Sequence, residues 1–76
     1  MTRSVHGIRY ERLTKALIRA RKDAGLTQAE VADKLRRPQS FVSKYERGAR
    51  RLDVVEFVEV VDVLKADATR ILNQLR

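Results

Sequence analysis

Residues 26–48 constrain the fold more tightly than any other stretch, because their punctuation leaves room for two short helices and one tight connection. Thr27-Gln-Ala-Glu30 is a capping box. The Thr27 hydroxyl can accept from the Glu30 amide, and the Glu30 carboxylate can accept from the Thr27 amide. Leu26 and Val31 hold the two staple positions around it. The spacing predicts a helix from about Gln28 to Leu35 that buries Val31, Ala32 and Leu35. Arg36-Arg37-Pro38 breaks this helix, since proline lacks an amide donor and disfavours helical geometry at the residue before it. Pro38 suits the first turn of a second helix, where a missing donor costs nothing. That helix is expected to run from Pro38 or Gln39 to Glu46 and to stop at Gly48, with Val42 and Tyr45 spaced to face inward. Gln39, Ser40, Ser43, Lys44 and Arg47 are left outside.

The flanks read as helices too. Leu13, Leu17, Ala20 and Ala24 form one apolar stripe over residues 9–24, and Gly25 follows as a residue able to take positive φ. Asp53-Val-Val-Glu56 is a second capping box with Leu52 and Phe57 as its staple, opening a helix from about Val54 to Leu64. Asp67 can cap a short last helix through about Gln74, with Ile71 and Leu72 or Leu75 turned inward. The valines at 54–63 are β-branched, but Glu56, Glu59 and Asp62 recur every third residue, which is a helical polar stripe. The expectation is an all-α, compact five-helix domain over residues 9–76, preceded by an N-terminal arm of residues 1–8.

Composition narrows the function classes. A chain of 76 residues is one domain with a small core. It has no cysteine and a single histidine, His6, so a disulfide framework or a His/Cys metal cluster is not expected. His6 reads as an ordinary residue of the arm. No apolar run reaches the roughly 18 residues of a membrane span, and the basic N-terminus lacks the apolar region of a secretory signal. A cytoplasmic location is expected. There is no nucleophile–base constellation and no Gly-rich phosphate loop, so an enzyme is not expected.

The net charge of +7 is unevenly placed. Residues 1–51 carry 14 Lys/Arg against 5 Asp/Glu, and residues 52–76 carry 3 against 5. A strongly basic part favours a polyanionic partner, because neutralising phosphates releases counterions. Two helices joined by a tight turn, the second opening on small polar side chains, is the layout of a helix-turn-helix, whose second helix enters the DNA major groove. A glutamine amide offers a donor and an acceptor that match adenine, and a lysine can donate to guanine O6 and N7. Gln39, Ser40 and Lys44 lie near one helix face and are the expected base readers. Arg47, Arg50 and Arg51 are expected to meet phosphates and position the protein without reading sequence. Phe41 is expected to cover the junction with the preceding helix, with a thymine methyl as its alternative contact.

The chain resembles the XRE/Cro-type family of phage-repressor-like DNA-binding domains over about residues 9–73. The likeness rests on Gly25-Leu-Thr-Gln28-x-x-Val-Ala32, on Pro-Gln39-Ser40-x-Val42-Ser-Lys44-Tyr45-Glu46-Arg-Gly48, and on the two closing helices. It implies a five-helix globule. It also implies that Gln28 clamps a phosphate and that Gln39, Ser40 and Lys44 read bases; Ser43 is expected among the phosphate contacts. Arg21 and Glu46 match a pair that makes a partly buried, structural salt bridge in this family. Two departures stand out: the family usually has glycine where Arg36 stands, and a small cap residue where Pro38 stands.

The helix at 54–64 carries more apolar residues than one core stripe needs. The surplus predicts a partner surface, here a homodimer through the last two helices with Val55, Val58, Val63 and Leu72 at the interface. The resulting expectation is a sequence-specific regulator of transcription bound to double-stranded DNA, a repressor pairing on a palindromic operator within the nucleoid. It needs no cofactor, and nothing in the chain suggests a small-molecule effector site. Two alternatives share the motif: the controller of a restriction-modification operon, and an antitoxin that binds a toxin protein and autoregulates.

Overall fold

The computed structural model describes residues 7–76. These form five helices: α1 Gly7–Asp23, α2 Gln28–Leu35, α3 Gln39–Glu46, α4 Val54–Leu64 and α5 Ala68–Asn73. The helices at 28–35 and 54–64 fall where their capping boxes place them, and the helix at 39–46 lies between Pro38 and Gly48 as expected. α1 begins at Gly7, so Gly7 and Ile8 belong to the helix and not to an arm; the rest of the expected arm, including His6, lies outside the described residues.

Both capping boxes are formed. The Thr27 hydroxyl accepts from the Glu30 amide at 3.1 Å, and Glu30 accepts from the Thr27 amide at 2.9 Å. Asp53 and Glu56 repeat the exchange at 2.7 and 3.0 Å. Asp67 caps α5 by accepting from the Arg70 amide at 3.1 Å. Pro38 occupies the cap position of α3 and not its first turn, and no side chain caps that helix.

Four helices end in the same way, with one residue in the left-handed region and two backbone bonds that reuse the last carbonyls. After α1, Gly25 at φ 73° places its amide on the Lys22 carbonyl and the Leu26 amide on the Arg21 carbonyl. After α3, Gly48 does the same with Tyr45 and Lys44. After α2 and α4 the left-handed residue is Arg36 at φ 58° or Lys65 at φ 54°. Arg36 thus holds the conformation that explains why glycine is usual there, and its Cβ makes the turn strained.

The core joins Leu13 and Leu17 of α1, Val31 and Ala32 of α2, Phe41, Val42 and Tyr45 of α3, Phe57, Val60, Val61 and Leu64 of α4, and Ile71 of α5. α2 packs on α3 and α4, and α1 spans α3, α4 and α5. Ala24, expected in the α1 stripe, is exposed past the helix end, and Leu35 is only half-buried. Tyr10 closes the other end of α1. Its hydroxyl accepts from the Leu52 amide at 3.0 Å and donates to the Arg50 carbonyl at 3.3 Å, so α1 is tied to the loop between α3 and α4. The Tyr45 hydroxyl is buried without a hydrogen-bond partner among the described residues. Burial pushes its ionisation well above the usual tyrosine range.

Candidate nucleic-acid interface

α3 is held by its inner side and open on its outer one. Val42 and Tyr45 are 0% and 1% exposed, and Phe41 is 7% exposed, so the helix cannot roll without opening the core. Gln39, Ser40, Lys44 and Arg47 are exposed, and Ser43 is half-buried. Ser40, Lys44 and Arg47 follow at steps of four and three along one helix stripe, with Gln39 and Ser43 on the stripe beside it. The expected readers therefore share one solvent-facing surface. Phe41 packs inward, edge-on to Tyr45 with ring centroids 5.5 Å apart, which favours its structural reading over a thymine contact.

Behind this surface sits a network centred on Glu46. Arg21 donates to both Glu46 oxygens, Nε at 2.7 Å and one terminal nitrogen at 3.1 Å. Its other terminal nitrogen reaches the Leu26 carbonyl at 3.0 Å. The side chains of Arg21 and Glu46 are 14% and 4% exposed, and the hydrogen bond to Glu46 raises the Arg21 pKa further above its ordinary value. The pair expected from the resemblance is present, and it joins α1 to α3. Gln28 adds a third bond, its amide nitrogen donating to Glu46 at 2.9 Å. An amide nitrogen carries two hydrogens, so one is spent inward and the Gln28 side chain is aimed by Glu46.

The arginines expected at phosphates are less alike than their sequence suggests. Arg47 is exposed at the end of α3. Arg51 is exposed, and its guanidinium lies 5.0 Å from the Tyr10 ring centre. Arg50 is not a simple solvated charge. It grips Glu56 with two nitrogens at 2.8 and 2.9 Å and lies 4.9 Å from the Phe41 ring centre. Arg37 joins the same carboxylate at 3.3 Å and lies 4.3 Å from the same ring. The Arg50 guanidinium, helped by the Asp53 amide, holds the Glu56 carboxyl down to about 2. Sequence alone assigns Glu56 a cap and a place on the polar stripe of α4, and it does not bring Arg37 and Arg50 to it.

Among the described residues, large apolar side chains are exposed on α1, where Ile8 is 68% exposed, and on α4 and α5. On α4, Val54, Val55 and Val58 are 78%, 66% and 46% exposed, and Leu72 of α5 is 47% exposed. Val63, expected at an interface, is half-buried and packs against the core, while Val54, not expected there, is open. Among the described residues, no helix is long and apolar enough to cross a membrane, and no group of His, Cys, Asp and Glu could hold a metal ion.

Residues 12–72 match a family described as a helix-turn-helix domain. The structure is similar to that of an XRE-family-like protein from Pseudomonas syringae pv. tomato str. DC3000, with a TM-score of 0.86 and 46% identity over 93% of this chain and 87% of that one. The chain belongs to the XRE family of helix-turn-helix domains. A structure of the clp gene regulator ClgR from Corynebacterium glutamicum is also similar, with a TM-score of 0.81 and 28% identity over 91% of this chain and 88% of that one. No curated protein matches the chain. XRE-family domains bind DNA and regulate transcription, and they are not enzymes; the expected five-helix fold is the one found.

Proposed function

We propose that this XRE-family domain is a sequence-specific transcriptional repressor that binds double-stranded DNA as a homodimer on a palindromic operator. One observation carries the reading: α3 is locked into the core by Phe41, Val42 and Tyr45 while Gln39, Ser40 and Lys44 stand exposed on its other side. A rigid helix with exposed amide, hydroxyl and ammonium groups suits base edges in a major groove. Gln39 takes adenine, Lys44 takes guanine, and Ser40 accepts or donates as the base requires. Gln28, Ser43, Arg47, Arg50 and Arg51 meet backbone phosphates and set the register.

Pairing draws on the apolar surface of Val54, Val55, Val58 and Leu72. The molecule measures 33 × 25 × 22 Å. Two copies side by side therefore fit half-sites one helical turn, about 34 Å, apart. The likeness to a clp gene regulator supports the regulatory part of the reading. The protein acts in the cytoplasm on nucleoid DNA.

Selection of bound duplexes from a random pool tests this directly. The expected product is an inverted repeat with half-site centres about 34 Å apart. A pool that returns no common sequence would reject the reading, and a single unrepeated site would reject the dimer.

A further inference from the structure

We propose that Glu56 is a positioning residue for DNA, a carboxylate that strengthens binding to a polyanion by fixing Arg37 and Arg50 as one phosphate-gripping pair. The inference rests on the DNA-binding reading above and adds to it Glu56, which lies outside the helix-turn-helix.

The geometry is specific. Two guanidiniums from either side of α3 in the chain, Arg37 before it and Arg50 after it, converge on one carboxylate at the start of α4. Both also lie against the ring of Phe41, in the first turn of α3 beside Gln39 and Ser40. Two cations share one anion, so the cluster keeps a net positive charge. The side chains of Arg37 and Arg50 are 37% and 39% exposed, while Glu56 is 11% exposed. The anion is inside and the cations are outside. Arg50 spends its bonds on the Glu56 carboxylate and on the Arg51 carbonyl, and its remaining N–H groups have no partner among the described residues. Arg37 spends one contact of 3.3 Å. Open donors on planar forks that cannot swing freely suit a phosphodiester, which takes guanidinium in a bidentate grip. Fixing the pair before binding removes most of the side-chain ordering cost that two free arginines would carry.

The test reverses the naive electrostatic expectation. Removing a carboxylate near DNA would ordinarily tighten binding and steepen its salt dependence, because net positive charge rises. Glu56→Gln keeps an acceptor for the Asp53 amide, since glutamine also serves at this position of a capping box. Kd for the selected duplex is measured against salt for wild type and Glu56→Gln, with thermal unfolding run on both. The inference predicts that Glu56→Gln binds roughly fivefold more weakly at conditions where both are folded, with a salt slope about 1 shallower. Arg50→Lys keeps the charge but loses the fork, and it is expected to lose a similar factor. Equal or tighter binding by Glu56→Gln, or unchanged binding by Arg50→Lys, overturns the inference. Failure of wild type itself to prefer any duplex would instead overturn the DNA-reading proposal, so the two failures are distinct.

Discussion

Glu46 takes hydrogen bonds from Arg21 of α1 and Gln28 of α2 while sitting at the end of α3, so one side chain sets the mutual position of three helices. A carboxylate this buried is tolerated because its partners satisfy it; stripped of Arg21 it would be an uncompensated charge. Arg21→Ala is therefore expected to lower stability by about 3 kcal/mol or more, a fall of roughly 12–24 °C in the unfolding midpoint of so small a domain. An unchanged midpoint in thermal denaturation would contradict it. Glu56 gives a pH signature. Its folded pKa is about 2 against an ordinary 4.5, held down by Arg50. A depressed carboxyl contributes fully above the unfolded value and loses its contribution as pH falls through the folded one. The stability advantage of wild type over Glu56→Gln should thus be constant above about pH 4.5 and shrink toward pH 2. Urea titrations of both proteins across that window check it, and a gap independent of pH would contradict it.

At the scale of elements, the helix ends tell most. Lys65 closes α4 with φ 54° and has a Cβ where the other closures at Gly25 and Gly48 have none. The left-handed conformation costs a residue with a Cβ about 1–2 kcal/mol, partly offset by the greater unfolded-state freedom of glycine. Lys65→Gly is expected to stabilise by about 0.5–1 kcal/mol. Chemical denaturation reads it, and a loss of stability would show that Lys65 is doing something else at that corner.

The same ends explain what was legible in the sequence. α2 and α4 could be placed to the residue because their starts are fixed by contacts between neighbours three residues apart, Thr27 with Glu30 and Asp53 with Glu56. The exposed surface of α3 follows from helical spacing once Val42 and Tyr45 are set inward. α1 begins earlier than expected because Ile8, 68% exposed, extends the helix without extending the apolar stripe that the eye follows. The cluster around Glu56 could not be read, because Arg37, Phe41 and Arg50 meet it only after α3 and α4 have packed. One signal existed: a capping-box glutamate a few residues after an arginine pair has two attractive claims on it. That Val63 is half-buried against the core was hidden for a similar reason. On an apolar helix, periodicity does not say which valine faces the core and which faces out.

For the molecule as a whole, α3 and its flanks are rich in cations, while exposed valines lie on α4. The cations Arg36, Arg37, Lys44, Arg47, Arg50 and Arg51 lie on α3 or in the segments flanking it. The exposed Glu59 and Asp62 lie on α4, which also carries the open valines. The proposed pairing draws on the exposed valines and the proposed DNA contact on the cations. Val58→Asp is expected to give a monomer with an unfolding midpoint close to that of the folded single chain, since Val58 is 46% exposed and outside the core. Operator affinity should drop about tenfold or more, because each half-site then binds alone. Light scattering that finds wild type already monomeric at micromolar concentration would contradict the paired arrangement.

The claim on which the rest depends is that the outward side of α3 discriminates bases. Its most direct test is the binding free energy of wild type and Gln39→Ala on a set of duplexes carrying every single base change in the selected site. Wild type should lose affinity at defined positions, and Gln39→Ala should become indifferent at one base pair per half-site, forfeiting about 1–3 kcal/mol of discrimination there and little elsewhere. A wild type equally content with every duplex, or a Gln39→Ala profile that overlays the wild-type one, would contradict it.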